Sequence, residues 1–484
     1  MMRQPRRAPR TDSAPAWLPQ GKPGRGKLAV TGNLPDSSIM GARRAGPNLS
    51  RDRLRGPSVR EYSVVPPGLE SILPLYPALK RWAKLGRPSG AGFFCAWYDS
   101  AIPMIPAVTI PERETRRTTK WRSAPRFGEL LLLGAVAAVC FGATLIAFHG
   151  WHGRLLRYGD NAAYLSVATA IRDWDFRGLD IQHFMGYPYA IAAVSLVLRI
   201  PLISSLWLVA VAASVVSTLL VARLFGTWVA AYFAFTNFAW IQLSFLGGAE
   251  PLAVALGLGA FWSYRRRHPL FAALLASLAT TIRPLMFFAL VGIGVALLCQ
   301  KRYARFLGAL AVGSAIGLLY MWPLAHYFGD PWRTVHSYTA RDYGAANFAG
   351  PHGHLFGWPF HGIIVGTMLI PAPWTNLVLS FSWIALVIAG AVAMFGRDLR
   401  EYWRANLPEA VFCGFYLLAI FCYDYLVWAR GNFIRFAIPV LPFVFFALSR
   451  WLPEDRRVLW CLSVLGPVLA ACSAIGIRNL PFFH

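Results

Sequence analysis

Charged residues are scarce in this sequence: only 14% of its 484 residues are Asp, Glu, Lys or Arg, whereas 56% are hydrophobic. The mean hydropathy of +0.46 is higher than a soluble globular domain of ordinary composition shows. This shortage of charge excludes a chain that water alone keeps in solution. It predicts a protein for which lipid supplies much of the solvent.

Acidic residues are the rarer of the charged types, with 22 against 47 Lys and Arg, which gives a net charge of +25. Of the basic residues, 23 precede position 127, where only 8 acidic residues occur. A basic tail followed by short basic loops is the pattern that the positive-inside rule produces. We therefore predict no nucleic-acid partner.

Paired cysteines are also missing. The seven cysteines are spaced singly, without a CxxC motif, and six of them lie in apolar segments. This spacing disfavours a disulfide framework or a zinc site. No cluster of His or Asp residues has convincing ligand spacing either, so we predict no cofactor and name no metal ligand. The sequence does not exclude that a divalent cation binds.

A cleavable signal peptide is not evident, because the first long apolar run begins near residue 127 and is itself long enough to span a membrane. That run is predicted to be a signal anchor. Residues 1–126, rich in Pro, Gly, Arg and Ser, are predicted to form a largely disordered, basic cytoplasmic tail. The tail either touches anionic headgroups or is a dispensable extension, with Met104 a candidate for the true start.

Residues 127–484 are predicted to form an all-α polytopic membrane domain, since about 20 apolar residues cross the hydrocarbon as a helix. Two further runs, 186–199 and 359–372, are too short to span and suit interfacial or re-entrant helices; counting them would give thirteen spans. The eleven predicted spans are 128–148, 202–222, 227–246, 250–264, 269–282, 285–299, 306–325, 374–396, 409–427, 434–450 and 457–476.

The basic loops orient these spans. With the tail inside, the run from Arg265 to Arg267 and the other basic clusters lie in the cytoplasm. The loops 149–185 and 326–358 then face the opposite side and carry the polar residues that chemistry needs. We expect a bacterial inner-membrane protein whose site faces the periplasm.

The first external loop contains a predicted amphipathic helix from Asp160 to Arg172. Asp160 occupies its N-cap position, and because Asp is a favoured N-cap, capping alone is one explanation for this residue. The apolar face of the helix is predicted to carry Ala163, Val167, Ala170 and Ile171.

Five segments occur in a characteristic order: YGDNAAYLSVATAIRDWDF, HFMGYPYAIAAVSLVLR, LGGAEPLAVALGLGAFWSYRRR, SLATTIRPLMFFAL and GNFIRFAIPVLPFVFFAL. Together they resemble the GT-C superfamily of membrane glycosyltransferases over nearly all of residues 127–484. In that superfamily an Asp or Glu of the first external loop is the key acidic residue, and Asp160 is the matching position. The resemblance implies a sugar donor carried on polyprenyl phosphate, an acceptor that is a lipid, glycan or protein, and contact with membrane lipid.

Such a transfer needs a carboxylate that takes the proton of the acceptor hydroxyl and cations that offset charge on the departing phosphate. Asp160 is the predicted base, acting by single displacement with inversion. Arg283 and Arg435, at the external ends of spans, are the predicted phosphate-binding residues, because a guanidinium offers a planar fork of donors. The alternative for each is an interfacial anchor that reaches toward headgroups.

Glu250, Tyr164, His183 and Tyr187 complete the predicted substrate-binding set. An ionisable group at membrane depth, such as Glu250, is costly unless it is paired or hydrated. Its alternative is a helix-start residue, because Pro251 follows. The second external loop is rich in His and aromatic residues, and we favour an aromatic belt there over a ligand site: His326, His336, His352, His354 and His361.

Two other functions stay open. A secondary transporter would also have many spans and broken helices, but its sites should lie near the midplane, and the two halves of this chain show no self-similarity. A flippase or scaffold for lipid-linked sugars would differ only in performing no glycosyl transfer. Replacing Asp160 by Asn distinguishes these functions from glycosyl transfer, because a transporter or scaffold should largely keep its activity in this variant.

Overall fold

The computed structural model describes residues 125–149, 159–176, 179, 181, 183–339, 356–369, 374–396, 399–424 and 432–478. The predictions for the basic tail up to residue 124, and for His352 and His354, lie outside these residues. The described part is all-α, as predicted, with no strand and a single isolated bridge between Phe356 and Tyr423.

The described helices are α1 (Phe127–His149), α2 (Asn161–Asp173), α3 (Gly186–Leu198), α4 (Leu202–Phe225), α5 (Thr227–Thr236), α6 (Phe238–Leu246), α7 (Glu250–Arg265), α8 (Pro269–Ile282), α9 (Phe287–Cys299), α10 (Tyr303–Phe328), α11 (Arg333–Thr339), α12 (His361–Leu369), α13 (Trp374–Met394), α14 (Arg400–Ala405), α15 (Leu407–Cys422), α16 (Asn432–Ala437), α17 (Leu441–Leu448) and α18 (Arg456–Arg478). Short 3-10 turns at Pro284–Met286 and Ser449–Trp451 precede α9 and α18.

Every predicted span coincides with one of these helices or with a broken pair. By length and composition, five described helices can cross a membrane: α1, α4, α10, α13 and α18. The predicted span 227–246 corresponds to α5 and α6, which are bent by 77° relative to each other. If this pair crosses the membrane as one span, the described residues contain six candidate crossings. The remaining five predicted spans are shorter helices, α7, α8, α9, α15 and the pair α16 and α17. These apolar helices define an integral membrane protein.

The two runs predicted to be too short for a span are short helices in the structure, α3 and α12. Helix α3 has 13 residues and α12 has 9, so neither reaches the length that a straight crossing requires. The sequence therefore located both helices correctly.

Helix α7 has a central position that brings several polar loops together. It packs against α4 and α8, and α8 in turn packs against α3 and α10. Helix α2 lies on α3 and α4. Consequently the N-terminal ends of α2 and α7 and the C-terminal end of α8 are drawn into one region of the molecule.

The buried face of α2 agrees with the predicted one in part, since Val167 and Ala170 are buried as expected. Its buried apolar residues are Tyr164, Val167, Ala168 and Ala170. Ala163 and Ile171, which were expected on this face, are only half-buried. The prediction considered aliphatic residues alone, whereas Tyr164 also lies on the buried face, with its hydroxyl 3.5 Å from Asp160 Oδ2 at the helix start.

Candidate active site

Four charged side chains from four separate helix ends form one ionic cluster: Asp160, Glu250, Arg283 and Arg435. Arg435 lies at its centre. Its Nη2 atom donates a hydrogen bond to Asp160 Oδ2 at 2.7 Å, and its Nε atom donates to Glu250 Oε1 at 2.5 Å. Arg283 Nη2 donates to the same Glu250 oxygen. The ionic cluster therefore contains two carboxylates and two guanidinium groups.

Asp160 occupies the N-cap position of α2, but its side chain makes no capping hydrogen bond. The carboxylate instead reaches Arg435, 275 positions away in the sequence. Capping therefore does not explain the side chain of this residue. Glu250 likewise begins α7 beside Pro251, yet its carboxylate is paired with Arg283 and Arg435.

Aromatic residues and a histidine border Asp160. His183 Nε2 lies 3.6 Å from Asp160 Oδ1, and Tyr164 Oη lies 3.5 Å from Asp160 Oδ2. The Tyr164 ring is 5.4 Å from the ring of His183 and 5.1 Å, edge to face, from that of Tyr187. Tyr187 is fully buried and donates its hydroxyl to the carbonyl of Leu206 at 3.1 Å. The ring of Tyr187, fixed by this hydrogen bond, thus packs against the ring of Tyr164.

Opposing effects set the protonation of Asp160 and His183. Burial raises the pKa of Asp160, but Arg435, His183 and Arg283 outweigh it and hold this pKa below its usual range. Burial lowers the pKa of His183, and the nearby Asp160 opposes that shift only in part. At neutral pH Asp160 is therefore ionised and His183 neutral, so the ionic cluster carries no net charge.

The members of the ionic cluster differ in exposure. The Glu250 side chain is 4% exposed, while those of Asp160, Arg283 and Arg435 are 27%, 20% and 22% exposed. Two buried atoms of the cluster, Glu250 Oε2 and Arg283 Nε, have no hydrogen-bond partner among the described residues. Such atoms are costly unless water or a ligand pairs with them.

Local sequence explains how Arg283 enters the cluster. Arg283 precedes Pro284, and a residue before proline is driven away from the helical region. It adopts φ −136° and ψ 117°, which ends α8 there. Gly186, at the start of α3, approaches this corner so closely that a Cβ atom on it would lie 2.7 Å from the backbone of Thr281. Glycine at position 186 therefore allows α3 to pack against the end of α8.

Sequence reasoning missed Asn161. This residue is buried, and its Nδ2 atom donates to the carbonyl of Leu246 at 2.7 Å. Gly247, which follows α6 with a φ of +91°, lies against the Asn161 amide. The two glycines before Ala249 and Glu250 were the available signal, because a left-handed residue next to a helix start often marks a tight approach.

Other titratable pairs lie apart from the ionic cluster. Asp330 contacts His336 at 2.9 Å, and His361 contacts Asp424 at 2.8 Å. His326 stacks on Trp322, as an aromatic belt would place it. Within the described ranges, no group of three or more His, Cys, Asp or Glu residues is arranged to hold a metal ion. The absence of a metal requirement stays a prediction.

The structure thus brings all seven predicted site residues together in an all-α, polytopic integral membrane protein. No family model matches the chain, and no curated protein matches it. Among solved structures it is similar to the crystal structure of ArnT from Cupriavidus metallidurans bound to undecaprenyl phosphate, with 16% identity and a TM-score of 0.37. The similarity covers 72% of this chain, which spans 64% of the length of that structure.

Proposed function

We propose that this protein is a membrane glycosyltransferase that moves a sugar from a polyprenyl-phosphate donor to an acceptor hydroxyl. The observation that carries the proposal is the hydrogen bond of 2.7 Å between Asp160 and Arg435 within the ionic cluster. It joins a carboxylate that can accept a proton to a guanidinium that can bind phosphate. The transfer requires both groups close together.

Asp160 is the proposed base. It is ionised at neutral pH and partly exposed, so an acceptor hydroxyl can approach it. Attack on the anomeric carbon from the side opposite the phosphate gives inversion in a single displacement. Tyr164 and His183 flank Asp160 and are proposed to contact the sugar or the acceptor.

Arg283 and Arg435 are the proposed phosphate-binding residues. Both guanidinium groups pair with one oxygen of Glu250, which holds them side by side. The unpaired Nε of Arg283 is a buried donor that a phosphate oxygen would satisfy. Glu250 itself is almost fully buried and is proposed to hold the two arginines in place. Tyr187 is proposed to act in the same indirect way through Tyr164.

The site is proposed to open on the side of the membrane opposite the cytoplasm. The other end of α7 carries Arg265, which pairs with Glu409 through two hydrogen bonds of 2.7 Å. At 1.5 Å per residue, the two ends of α7 are roughly 22 Å apart. Since Arg265 begins a basic run of the kind kept in the cytoplasm, Glu250 belongs to the opposite face.

Transfer is tested with purified protein in nanodiscs, supplied with a panel of polyprenyl-phosphate sugars and with lipid, glycan and peptide acceptors. We expect release of polyprenyl phosphate and a glycosylated product. Asp160→Asn should slow transfer about 10²- to 10⁴-fold, the range for loss of a general base. The matched control is Asp173→Asn at the other end of α2, an exposed carboxylate paired with Arg172.

A secondary transporter or a flippase of lipid-linked sugars would retain its activity in the Asp160→Asn variant and would yield no glycosylated product. Full transfer by this variant would remove Asp160 from the role of base.

A further inference from the structure

The guanidinium of Arg435 is already occupied on two sides. Its Nη2 atom is bonded to Asp160 Oδ2 at 2.7 Å and its Nε atom to Glu250 Oε1 at 2.5 Å. Arg283, by contrast, makes no direct hydrogen bond to Asp160 among the described contacts. Asp160 therefore has one guanidinium partner, and a phosphate that binds Arg435 must share it.

The charges make this sharing consequential. The ionic cluster has two positive and two negative groups, and His183 is neutral beside it. A bound phosphate adds negative charge at a partly buried site, where repulsion from Asp160 is only weakly screened. The carboxylate of Asp160 thus competes with phosphate for Arg435. The same pairing makes Asp160 a weak base, because Arg435 stabilises its ionised form.

We propose that Arg435 is exchanged between Asp160 and the lipid phosphate, so that proton uptake by Asp160 releases the guanidinium to the departing phosphate. This inference rests on the proposed function and deepens it. It makes base and leaving group two partners of one arginine. Glu250 stays bonded to Nε and keeps the guanidinium within reach of both.

The transfer step balances on this basis. The acceptor oxygen forms a bond to the anomeric carbon, the bond from that carbon to the phosphate oxygen breaks, and its electron pair stays on that oxygen. The acceptor proton moves to Asp160, which becomes neutral. The phosphate gains one negative charge while the ionic cluster gains one positive charge. Arg435 then has a stronger partner in the phosphate than in the protonated carboxyl group.

The test measures binding alone, with polyprenyl phosphate as the probe and full-length protein in nanodiscs. If Asp160 competes for Arg435, Asp160→Asn should bind the probe more tightly than wild type, by about fivefold. Asp173→Asn removes an exposed carboxylate from the same helix and should leave the dissociation constant unchanged.

A double-mutant cycle separates exchange from a general charge effect. The gain from Asp160→Asn should disappear when Arg435 is replaced by Ala and should persist when Arg283 is replaced by Ala. An equal gain in the Arg435→Ala background overturns the inference, because removal of a nearby negative charge would then explain it. Unchanged or weaker binding by Asp160→Asn also overturns it.

A second measurement needs no variant and covers the case in which Asp160→Asn does not fold. Polyprenyl phosphate is the departing group, so its complex with the wild-type protein represents the state after the exchange. In a structure of that complex, Arg435 should contact the phosphate and no longer make its hydrogen bond of 2.7 Å to Asp160. An unchanged bond between Asp160 and Arg435 in that complex contradicts the exchange. Arg435-dependent competition without any detectable transfer would leave the competition for Arg435 established and would refute both the proposed enzymatic function and the proton-driven step of the exchange.

Discussion

Asp160 illustrates how much of this site depends on the pairing of single residues. A carboxylate that is buried alone is neutralised by protonation, whereas Asp160 stays ionised because Arg435 is bonded to it. The Glu250 carboxylate is also paired, and it has two arginine partners. Replacing one member of such a cluster leaves an uncompensated charge, which commonly costs roughly 3–5 kcal/mol of stability.

The sequence identified these residues one at a time but did not show their pairing. Asp160, Glu250, Arg283 and Arg435 each had an ordinary alternative, as a cap, a helix-start residue or an interfacial anchor. The contacts that exclude capping as the role of the Asp160 side chain join positions 275 residues apart, and they depend on packing that no local pattern encodes. Asn161 was missed because a buried amide beside a helix start resembles an ordinary polar loop residue.

His183 provides a pH test at the residue scale. Its pKa is lowered in the folded protein, so the unfolded chain takes up more protons as the pH falls through the ordinary histidine value near 6.5. Stability is therefore retained above that value and declines below it. We expect the melting temperature in detergent to fall between about pH 7.5 and pH 5.5, and to fall less in His183→Gln, by on the order of 2 °C.

The matched control is His268→Gln, because His268 is exposed in the loop between α7 and α8. This variant should show the same pH dependence as wild type. An identical fall in His183→Gln and wild type would contradict the assigned protonation of His183.

At the scale of helices, the points at which helices end or bend determine where the site residues lie. Arg283 leaves the helical conformation because Pro284 follows it, and α16, which carries Arg435, ends at Ala437 before the turn that contains Pro439. The sequence predicted the apolar runs around these positions. It did not predict the bend of 77° between α5 and α6, where the Asn237 side chain accepts a hydrogen bond from the Trp240 amide and starts a new helix.

Gly186 allows a prediction about helix packing. A methyl group at this position would lie within 2.7 Å of the Thr281 backbone, so Gly186→Ala should push α3 and the end of α8 apart. Arg283 follows two residues later, and its guanidinium should shift with that end. We expect binding of polyprenyl phosphate to weaken by about tenfold, measured in nanodiscs, because misplacement of about 1 Å has large effects on such sites.

Gly414→Ala is the control, since a methyl group on this helical glycine of α15 would meet nothing within 4 Å. That substitution should leave binding unchanged and raise helix stability slightly. Wild-type affinity in Gly186→Ala would show that the close approach of α3 and α8 does not position Arg283.

At the scale of the whole molecule, the amino-acid composition and the apolar runs predicted the fold class better than hydrophobic periodicity predicted which helix faces are buried. Scarce charge and long apolar runs established an all-α membrane protein, and each of the eleven predicted spans contains a helix. Within the described residues, length alone supports only five or six crossings, because the other helices of the predicted spans are too short. A short helix can still lie at membrane depth where neighbouring protein covers its backbone and polar ends.

Helix α7 carries an ion-paired group at each of its two ends. One end holds Glu250 and the ionic cluster, and the other holds Arg265 with Glu409, whose carboxylate also accepts a hydrogen bond of 2.6 Å from Tyr402. The Arg265 group has its main hydrogen bonds satisfied within the chain, as expected of a structural contact. The ionic cluster around Arg435 instead contains two buried atoms without a hydrogen-bond partner among the described residues, as expected of a ligand site.

The most direct test of this account is a structure of the protein in a nanodisc with a polyprenyl-phosphate sugar bound. We predict phosphate oxygens at about 2.7–3.2 Å from the guanidinium nitrogens of both Arg283 and Arg435, with the sugar beside Asp160. A phosphate bound elsewhere, with the ionic cluster unchanged, would contradict the central claim that this cluster is the donor site.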